Sequence, residues 1–458
     1  MAEPRSMAQT PMSFQGRMHS ARRRSRKVII RHAENILYRM CGLPTIFQSL
    51  AGHHHRDPER EEIRRAYVRT FWSPDTVDQW LDVLLSIALF PVAVLLAASW
   101  YSLKNGKVVA RRSGRPVLSQ FADQVRFAVG TGLLPPWYYI FELFVAENRV
   151  QARDFLTRAE TKQCIFPILS SPARATSPLG DKAHFAFFCE QKQLFAVPAI
   201  LVARRGEIEW RQPREVPRVD LFLKPVDGRG GRGAERWDFT GEKWKGTKGV
   251  ELDAEELLAR IANRSSAVGL LLQPRIRNHP ALEKFSNGAF TTIRVLTCLN
   301  EQAKPEIVGA VFRMAIGANR TVDNFHAGGI LAAIDLGTGC LGRASNLGTD
   351  ARLGWLDVHP DTGQQITGER IPMWEEVKEL ALSAHEAFCD RAIIGWDIGI
   401  GADGPILVEG NYGPDVDMMQ RPTGVPLGRG RFAQLIAFHL QDLGRQRTAT
   451  GGMPVGPQ

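Results

Sequence analysis

In this 458-residue chain, three oxygen-bearing side chains and two lysines have the types and spacing to do chemistry. The segment Gly395-Trp-Asp-Ile-Gly-Ile-Gly-Ala-Asp-Gly-Pro-Ile-Leu-Val-Glu-Gly-Asn411 carries two apolar stretches around Ala402-Asp403-Gly404-Pro405, the pattern of a β-hairpin. A hairpin centred on Asp403 sets Asp397 directly opposite Glu409, their Cβ atoms about 5 Å apart. Asn411 falls on the same face, two residues further on, because strand side chains alternate. Two carboxylates so placed repel unless one takes a proton or a cation lies between them. The all-oxygen set Asp397, Glu409 and Asn411 suits Mg²⁺, or Mn²⁺, completed by water and phosphate oxygens. The plainer alternative is a polar pair on a wet hairpin face.

A second element is Asp220-Leu-Phe-Leu-Lys-Pro-Val-Asp-Gly-Arg-Gly-Gly-Arg-Gly233. An apolar strand delivers Lys224, Pro225 ends it, and Gly228, Gly230, Gly231 and Gly233 form a loop whose backbone N–H groups could donate to phosphates. It is neither a GxxxxGK[ST] loop nor a dinucleotide fingerprint, and the near miss at Gly241–Lys248 has its last two residues inverted.

These residues must be positioned by α+β elements. Strands are expected at Ile165–Leu169, Ala199–Ala203, Leu221–Leu223, Leu270–Gln273, Thr291–Thr297, Ile307–Ala315, Ile393–Ile400 and Ile406–Glu409. Helices are expected at Lys182–Gln193, Ala254–Arg264 and Trp374–Cys389, with further amphipathic helices over 115–160. The organisation reads as a basic disordered tail (1–28), a helical region (29–155), a catalytic α+β domain (156–443) and a loose tail (444–458).

The net charge of +10 is local: residues 1–31 carry +7, residues 104–126 carry +5, and the rest sums to −2. A nucleic-acid-binding body is therefore not expected. The six cysteines (41, 164, 189, 298, 340 and 389) form no CxxC pair and read as reduced thiols of a cytosolic protein. His53-His54-His55 reads as a surface loop rather than a metal site. No apolar core occurs within the first 30 residues, so no cleavable signal peptide is expected.

One segment is anomalous. Val83–Leu103 has 21 residues without a charge, with Trp80 before it, Trp100 and Tyr101 at its end, and basic residues from Lys104 onwards. Its length suits a membrane span, but both flanks are basic and Pro91 sits mid-segment. A helix pair dipping into one leaflet, or a buried helix hairpin, would satisfy both flanks. Membrane-surface contact through 1–31 and 83–126 is the expectation.

Taken together, the motifs resemble the ATP-grasp superfamily: Lys182 in Gly180-Asp181-Lys182, then Lys224 with its glycine loop, the strand Leu270–Gln273, and the Asp/Glu/Asn set. Over roughly 115–440 the resemblance is to the sugar-transfer-associated ATP-grasp family. It rests on Gln273-Pro-Arg-Ile-Arg-Asn-His-Pro280, Thr292-Ile-Arg294-Val-Leu-Thr297, Asp323-Asn-Phe-His-Ala-Gly-Gly329, Gly395-Trp-Asp397, Glu409-Gly-Asn411 and Gln420. The resemblance implies an ATP-grasp fold, two α+β subdomains clamping ATP, preceded by the helical region. It implies that Lys182 and Lys224 contact ATP phosphates, the Gly228–Gly233 loop closes over them, and Gln273 meets adenine. Asp397, Glu409 and Asn411 would hold Mg²⁺ (or Mn²⁺), while Arg294 and Arg313 steady the transferred phosphoryl group. His279 and His326 read as structural rather than as bases, and the Asp323–Gly329 loop as a strip beside the acceptor. The activity implied is ATP-dependent ligation of a carboxylate to an amine or hydroxyl through an acyl phosphate, in cell-surface polysaccharide or glycoconjugate assembly at the inner membrane face. A phosphotransferase on the same site and a non-catalytic, membrane-peripheral nucleotide binder are the alternatives.

Overall fold

A computed structural model describes residues 32–449 apart from 34, 38, 53–54, 72–73, 75, 171–175, 212, 229–230, 248 and 318–327. Gly230, His53, His54, His326, most of the Asp323–Gly329 loop and the tail at 1–28 therefore lie outside the described residues.

The chain begins with helices α1 (39–50), α2 (Pro58–Phe71), α3 (Val77–Ser113) and α4 (Val117–Thr131). Short helices α5 (Pro135–Ile140), α6 (Ala146–Val150), α7 (Arg158–Glu160) and α8 (Phe166–Leu169) follow. The expected strand Ile165–Leu169 is instead helical, a π turn over Thr161–Ile165 running into α8 with Pro167 in its first turn. A short apolar run has no period that separates strand from helix, and Pro is tolerated where no helical N–H is needed.

Two seven-stranded antiparallel sheets follow. The first runs β2-β1-β7-β3-β4-β5-β6 and the second β12-β11-β10-β9-β8-β13-β14. In the first, β1 (Leu201–Arg204), β3 (Leu221–Pro225) and β7 (Leu270–Pro274) are central; β2 (Glu207–Trp210), β4 (Glu235–Phe239), β5 (Trp244–Gly246) and β6 (Glu251–Leu252) lie outside them. Alternation splits its faces. Leu201, Ala203, Leu221, Leu223, Leu270 and Leu272 pack with Leu257 and Ile261 of α10 (Ala254–Ser265), while Val202 and Leu271 face Ala183 of α9 (Lys182–Gln191). Asp181 caps α9, accepting from the Ala183 and His184 backbone N–H groups at 2.9 Å each, which fixes where Lys182 starts.

The second sheet comprises β8 (Thr292–Leu299), β9 (Pro305–Met314), β10 (Ile330–Ile334), β11 (Leu341–Ser345), β12 (Trp355–Leu356), β13 (Ile393–Gly401) and β14 (Gly404–Asn411), entered through α11 (Pro280–Glu283). One face, with Ile293, Val295, Phe312, Trp396 and Ile398, buries α12 (Trp374–Ala387). The opposite face, with Leu296, Cys298, Val311, Leu331 and Ile393, shares one core with α13 (Asp417–Thr423), α14 (Gly430–Ala449) and the N-terminal helices. The core thus crosses residue 155, and Gln420 fastens the two parts: the Leu156 N–H donates to its Oε1 at 2.9 Å and its Nε2 donates to the Leu156 carbonyl at 2.8 Å. The expected tail from residue 444 is corrected in part, because α14 runs to Ala449.

The apolar segment is one continuous helix, α3, with Pro91 inside it, so the helix-hairpin and helix-pair readings are corrected. Its buried positions, among them Asp82, Ser86, Val94, Ala98, Ser102 and Asn105, fix one side of it to the body. Ser86 donates to the Ile36 carbonyl, Gln124 donates to Ser102 at 2.8 Å, and Asn105 donates to the Thr349 carbonyl at 3.3 Å.

Candidate active site

The polar residues of the second sheet occupy the face that elsewhere is apolar. On β13 the side chains of Ile393 and Asp397 share a face, and Arg294 of β8 pairs with Asp397. Arg313 of β9 pairs with Thr292, one diagonal step from Arg294, which puts it on the same face. Asp397 pairs with Glu409 and Gly395 with Asn411 on β14, the register expected from the sequence. The route differs. The turn is the two-residue Ala402-Asp403 closed by Gly401 and Gly404, and a bulge between the Asp397 and Ile398 pairs restores the offset.

Asp397 is buried and bound on both oxygens. Arg294 donates through Nε to Oδ1 at 2.5 Å and through Nη2 to Oδ2 at 2.9 Å, and Arg313 Nη1 lies 3.0 Å from Oδ2. Burial alone would raise the carboxyl pKa; the two guanidinium groups override it and hold it down at about 2. These cross-strand partners are not visible in the spacing of the sequence.

Opposite stand the two lysines. Lys224 enters from β3, paired with Leu271 of β7, and is buried. Burial pushes its pKa down to about 8, against the pull of Glu409 and with a further push from Lys182. Lys182 donates to the Gly228 carbonyl at 2.5 Å and reaches Glu409 Oε2 at 3.7 Å, so it ties the glycine loop to β14. Gly231 and Gly233 adopt φ of +70° and +78°, and a Cβ on Gly233 would lie 3.2 Å from both Pro225 and Arg264. This is a backbone turn that glycine makes easily.

Gln273 is also buried beside this face, but its Nε2 donates to the Val197 carbonyl at 2.7 Å. Asn411 makes only a long contact, from Nδ2 to the Gly395 carbonyl at 3.4 Å. His279 caps α11, its Nδ1 accepting from the Ala281 N–H at 3.2 Å, which agrees with a structural role.

One group of charged residues was not anticipated. Asp415 lies 3.2 Å from Arg158 and 3.4 Å from Lys162, and Asp417 accepts from Trp137 Nε1 at 3.3 Å. Burial first, and Asp415 second, pushes the Asp417 carboxyl well above the usual carboxylate range. The sequence signal is Pro414-Asp-Val-Asp417, which begins three residues past Asn411.

Chemically, Lys182, Lys224, Arg294 and Arg313 outnumber Asp397 and Glu409 by two charges. Among the described residues no three His, Cys, Asp or Glu side chains gather to hold a metal. Two carboxylates and a carboxamide are nonetheless an all-oxygen donor set at one pair of rungs. The charge excess disfavours a bare cation and favours a divalent cation arriving with a polyphosphate, for which the donors fit.

The profile of the family described as "Sugar-transfer associated ATP-grasp" matches residues 168–431, more than half of the chain. No curated protein matches the sequence. Similar solved structures include an L-amino acid ligase from Bacillus licheniformis (10% identity, TM-score 0.33), covering 57% of this chain and 48% of that one. D-alanyl-alanine synthetase A from Vibrio cholerae shares 11% identity with TM-score 0.33, covering 58% of this chain and 65% of that one. The D-alanine–D-alanine ligase of Bacillus anthracis, complexed with ATP, shares 12% identity with TM-score 0.34, covering 60% of this chain and 68% of that one. The chain thus spans about half of the first of these proteins and about two thirds of the other two. With the profile matching from α8 to α14 and taking in both sheets, the chain belongs to the sugar-transfer associated ATP-grasp family.

Proposed function

We propose that the protein is an ATP-dependent ligase that joins a carboxylate to an amine, or to a hydroxyl, through an acyl phosphate. The observation that carries this reading is the convergence of two lysines from one sheet and helix with two arginines from the other sheet around a carboxylate pair. A carboxylate oxygen attacks the γ-phosphorus, the bridging P–O bond breaks and ADP leaves. The acceptor nitrogen then attacks the acyl carbon, phosphate departs, and the nitrogen loses a proton. Lys224 and Lys182 bind and orient the phosphates, and the Gly228–Gly233 loop covers them. Arg294 and Arg313 offer planar donors to the oxygens that gain charge in both steps. Asp397, Glu409 and Asn411 would hold Mg²⁺ or Mn²⁺, which when bound supplies charge neutralisation between phosphate oxygens. Positioning and electrostatics do most of the work in such transfers.

The family's description supports a substrate linked to sugar transfer; that the enzyme serves cell-surface polysaccharide or glycoconjugate assembly in the cytoplasm, touching the membrane through 1–31 and 83–126, is part of the same proposal. The test is a panel of carboxylates and amines with Mg·ATP, using a heavy-oxygen-labelled carboxylate. The reading expects ADP formation that depends on both substrates, with label appearing in the released phosphate. ADP formation without need of an amine, and label retained in a phosphorylated product, would favour a phosphotransferase instead.

A further inference from the structure

We infer that the outer side of α3 is an in-plane docking surface for an anionic lipid bilayer, with α3 lying along the membrane rather than through it. This rests on the membrane contact proposed above and is independent of the ligase chemistry. Twelve of the 25 large hydrophobic side chains exposed among the described residues lie on this single helix. Four of them lie on one stripe of its outer side: Leu89, Leu96, Trp100 and Leu103 are 45%, 67%, 66% and 83% exposed. The spacing of i and i+4 then carries the strip into charge, since Lys107 follows Leu103 by four residues and Arg111 follows Lys107 by four. Lys107, Arg111 and Arg126 are exposed.

The opposite side of α3 decides between lying on a bilayer and crossing it. It is fastened near its start by His32 to Asp82 at 2.9 Å and by Ser86 to Ile36, and further on by Gln124 to Ser102. Near its end, Asn105 and Arg112 bond the Thr349, Ala351 and Arg352 backbone. A span would drag those polar partners into hydrocarbon, where unsatisfied groups are costly. In-plane seating buries only the exposed strip and leaves the polar side on the protein.

Charge and composition favour lipid over a protein partner. The exposed strip offers aliphatic and indole surface and ends in cations. It presents no row of hydrogen-bonding groups to specify a partner, whereas an acyl boundary under anionic headgroups needs none.

The test is flotation of the full-length protein with vesicles of phosphatidylcholine and phosphatidylglycerol in equal parts, beside vesicles of phosphatidylcholine alone. Wild type floats with the mixed vesicles and is released by alkaline carbonate. Leu89→Glu with Leu96→Glu lowers partition by about tenfold or more per side chain, without shifting the thermal midpoint, because both positions are exposed. Lys107→Glu with Arg111→Glu lowers it by about fivefold or more per residue on mixed vesicles only. No flotation of wild type, or a concentration-dependent dimer that the Leu96→Glu change abolishes, overturns the proposal in favour of no docking or a second copy. Binding that resists carbonate overturns the in-plane geometry while sparing membrane contact. Calorimetry with Mg·ATP on the same variants keeps the nucleotide site separate, since it is expected unchanged.

Discussion

Lys224 has been placed where its charge costs stability, and replacing it should separate stability from binding. Burial moves its pKa from 10.5 to about 8. At about 1.4 kcal/mol per pH unit, the charged form is roughly 3 kcal/mol less favourable in the folded protein than in the unfolded chain. The folded pKa is depressed, so the associated stability is fully present above 10.5 and is lost as pH falls through 8. At pH 7 the wild type carries the whole penalty. Lys224→Met keeps the length and removes the charge, so it should raise unfolding stability at pH 7 by about 1–3 kcal/mol, less than the full penalty because Glu409 loses a counter-charge. The gain should shrink as pH rises from 8 to 10, where wild-type Lys224 becomes neutral. The same variant should bind Mg·ATP about 10- to 100-fold more weakly, the worth of one charge-assisted phosphate contact. Urea unfolding at a series of pH values and calorimetry read the two effects. A variant less stable than wild type at pH 7, or a stability difference that does not change between pH 8 and 10, would refute the reasoning.

Three further outcomes are expected. Asp397→Asn leaves Arg294 and Arg313 buried without their carboxylate and should cost about 3–5 kcal/mol in urea unfolding; in wild type the pair's contribution should be lost as pH falls from about 4 towards 2, because the folded pKa lies below the unfolded one. Gly233→Ala strains a φ of +78° and crowds Pro225, so it should cost about 1–2 kcal/mol and weaken ATP affinity by disfavouring the loop conformation that offers its N–H groups to phosphate. Gln420→Ala frees both Leu156 backbone groups and the Leu427 N–H and should lower stability by about 2–3 kcal/mol with ATP affinity unchanged, since its bonds fasten the helical region to α13 and none reaches Lys182, Lys224 or Glu409.

The strands that carry the site were legible because each is a long apolar run with its charged residue at a fixed phase: Lys224 after Leu-Phe-Leu, Arg294 between Ile293 and Val295. The Asp397–Glu409 pairing was legible for a partly fortuitous reason. A turn centred on Asp403 and a tighter turn followed by a bulge give the same far register, and sequence spacing does not distinguish them. Strands β2, β4, β5, β6 and β11 were missed because they are short and carry charges or Gly; β12 has only two residues, and the apolar run of β10, Ile330-Leu-Ala-Ala-Ile334, has no alternation that separates strand from helix. The guanidinium clamp on Asp397 was hidden because β8 and β13 are neighbours in the sheet but almost 100 residues apart in the chain. The Asp415–Asp417 cluster was hidden for the same reason, its cations coming from the helical region at Arg158 and Lys162. Val83–Leu103 was ambiguous by composition, since only the polar partners of Ser86, Ser102 and Asn105 reveal which side of the helix the body holds.

The central claim, a polyphosphate site between Lys182, Lys224 and the Asp397–Glu409–Asn411 set, is tested most directly by titrating the full-length protein calorimetrically with ATP, with and without Mg²⁺, in wild type and Glu409→Ala. The account predicts micromolar binding that requires Mg²⁺ and weakens at least about tenfold without Glu409. Folded wild-type protein that binds no ATP, or binds it equally well with Glu409 removed and Mg²⁺ absent, would contradict it.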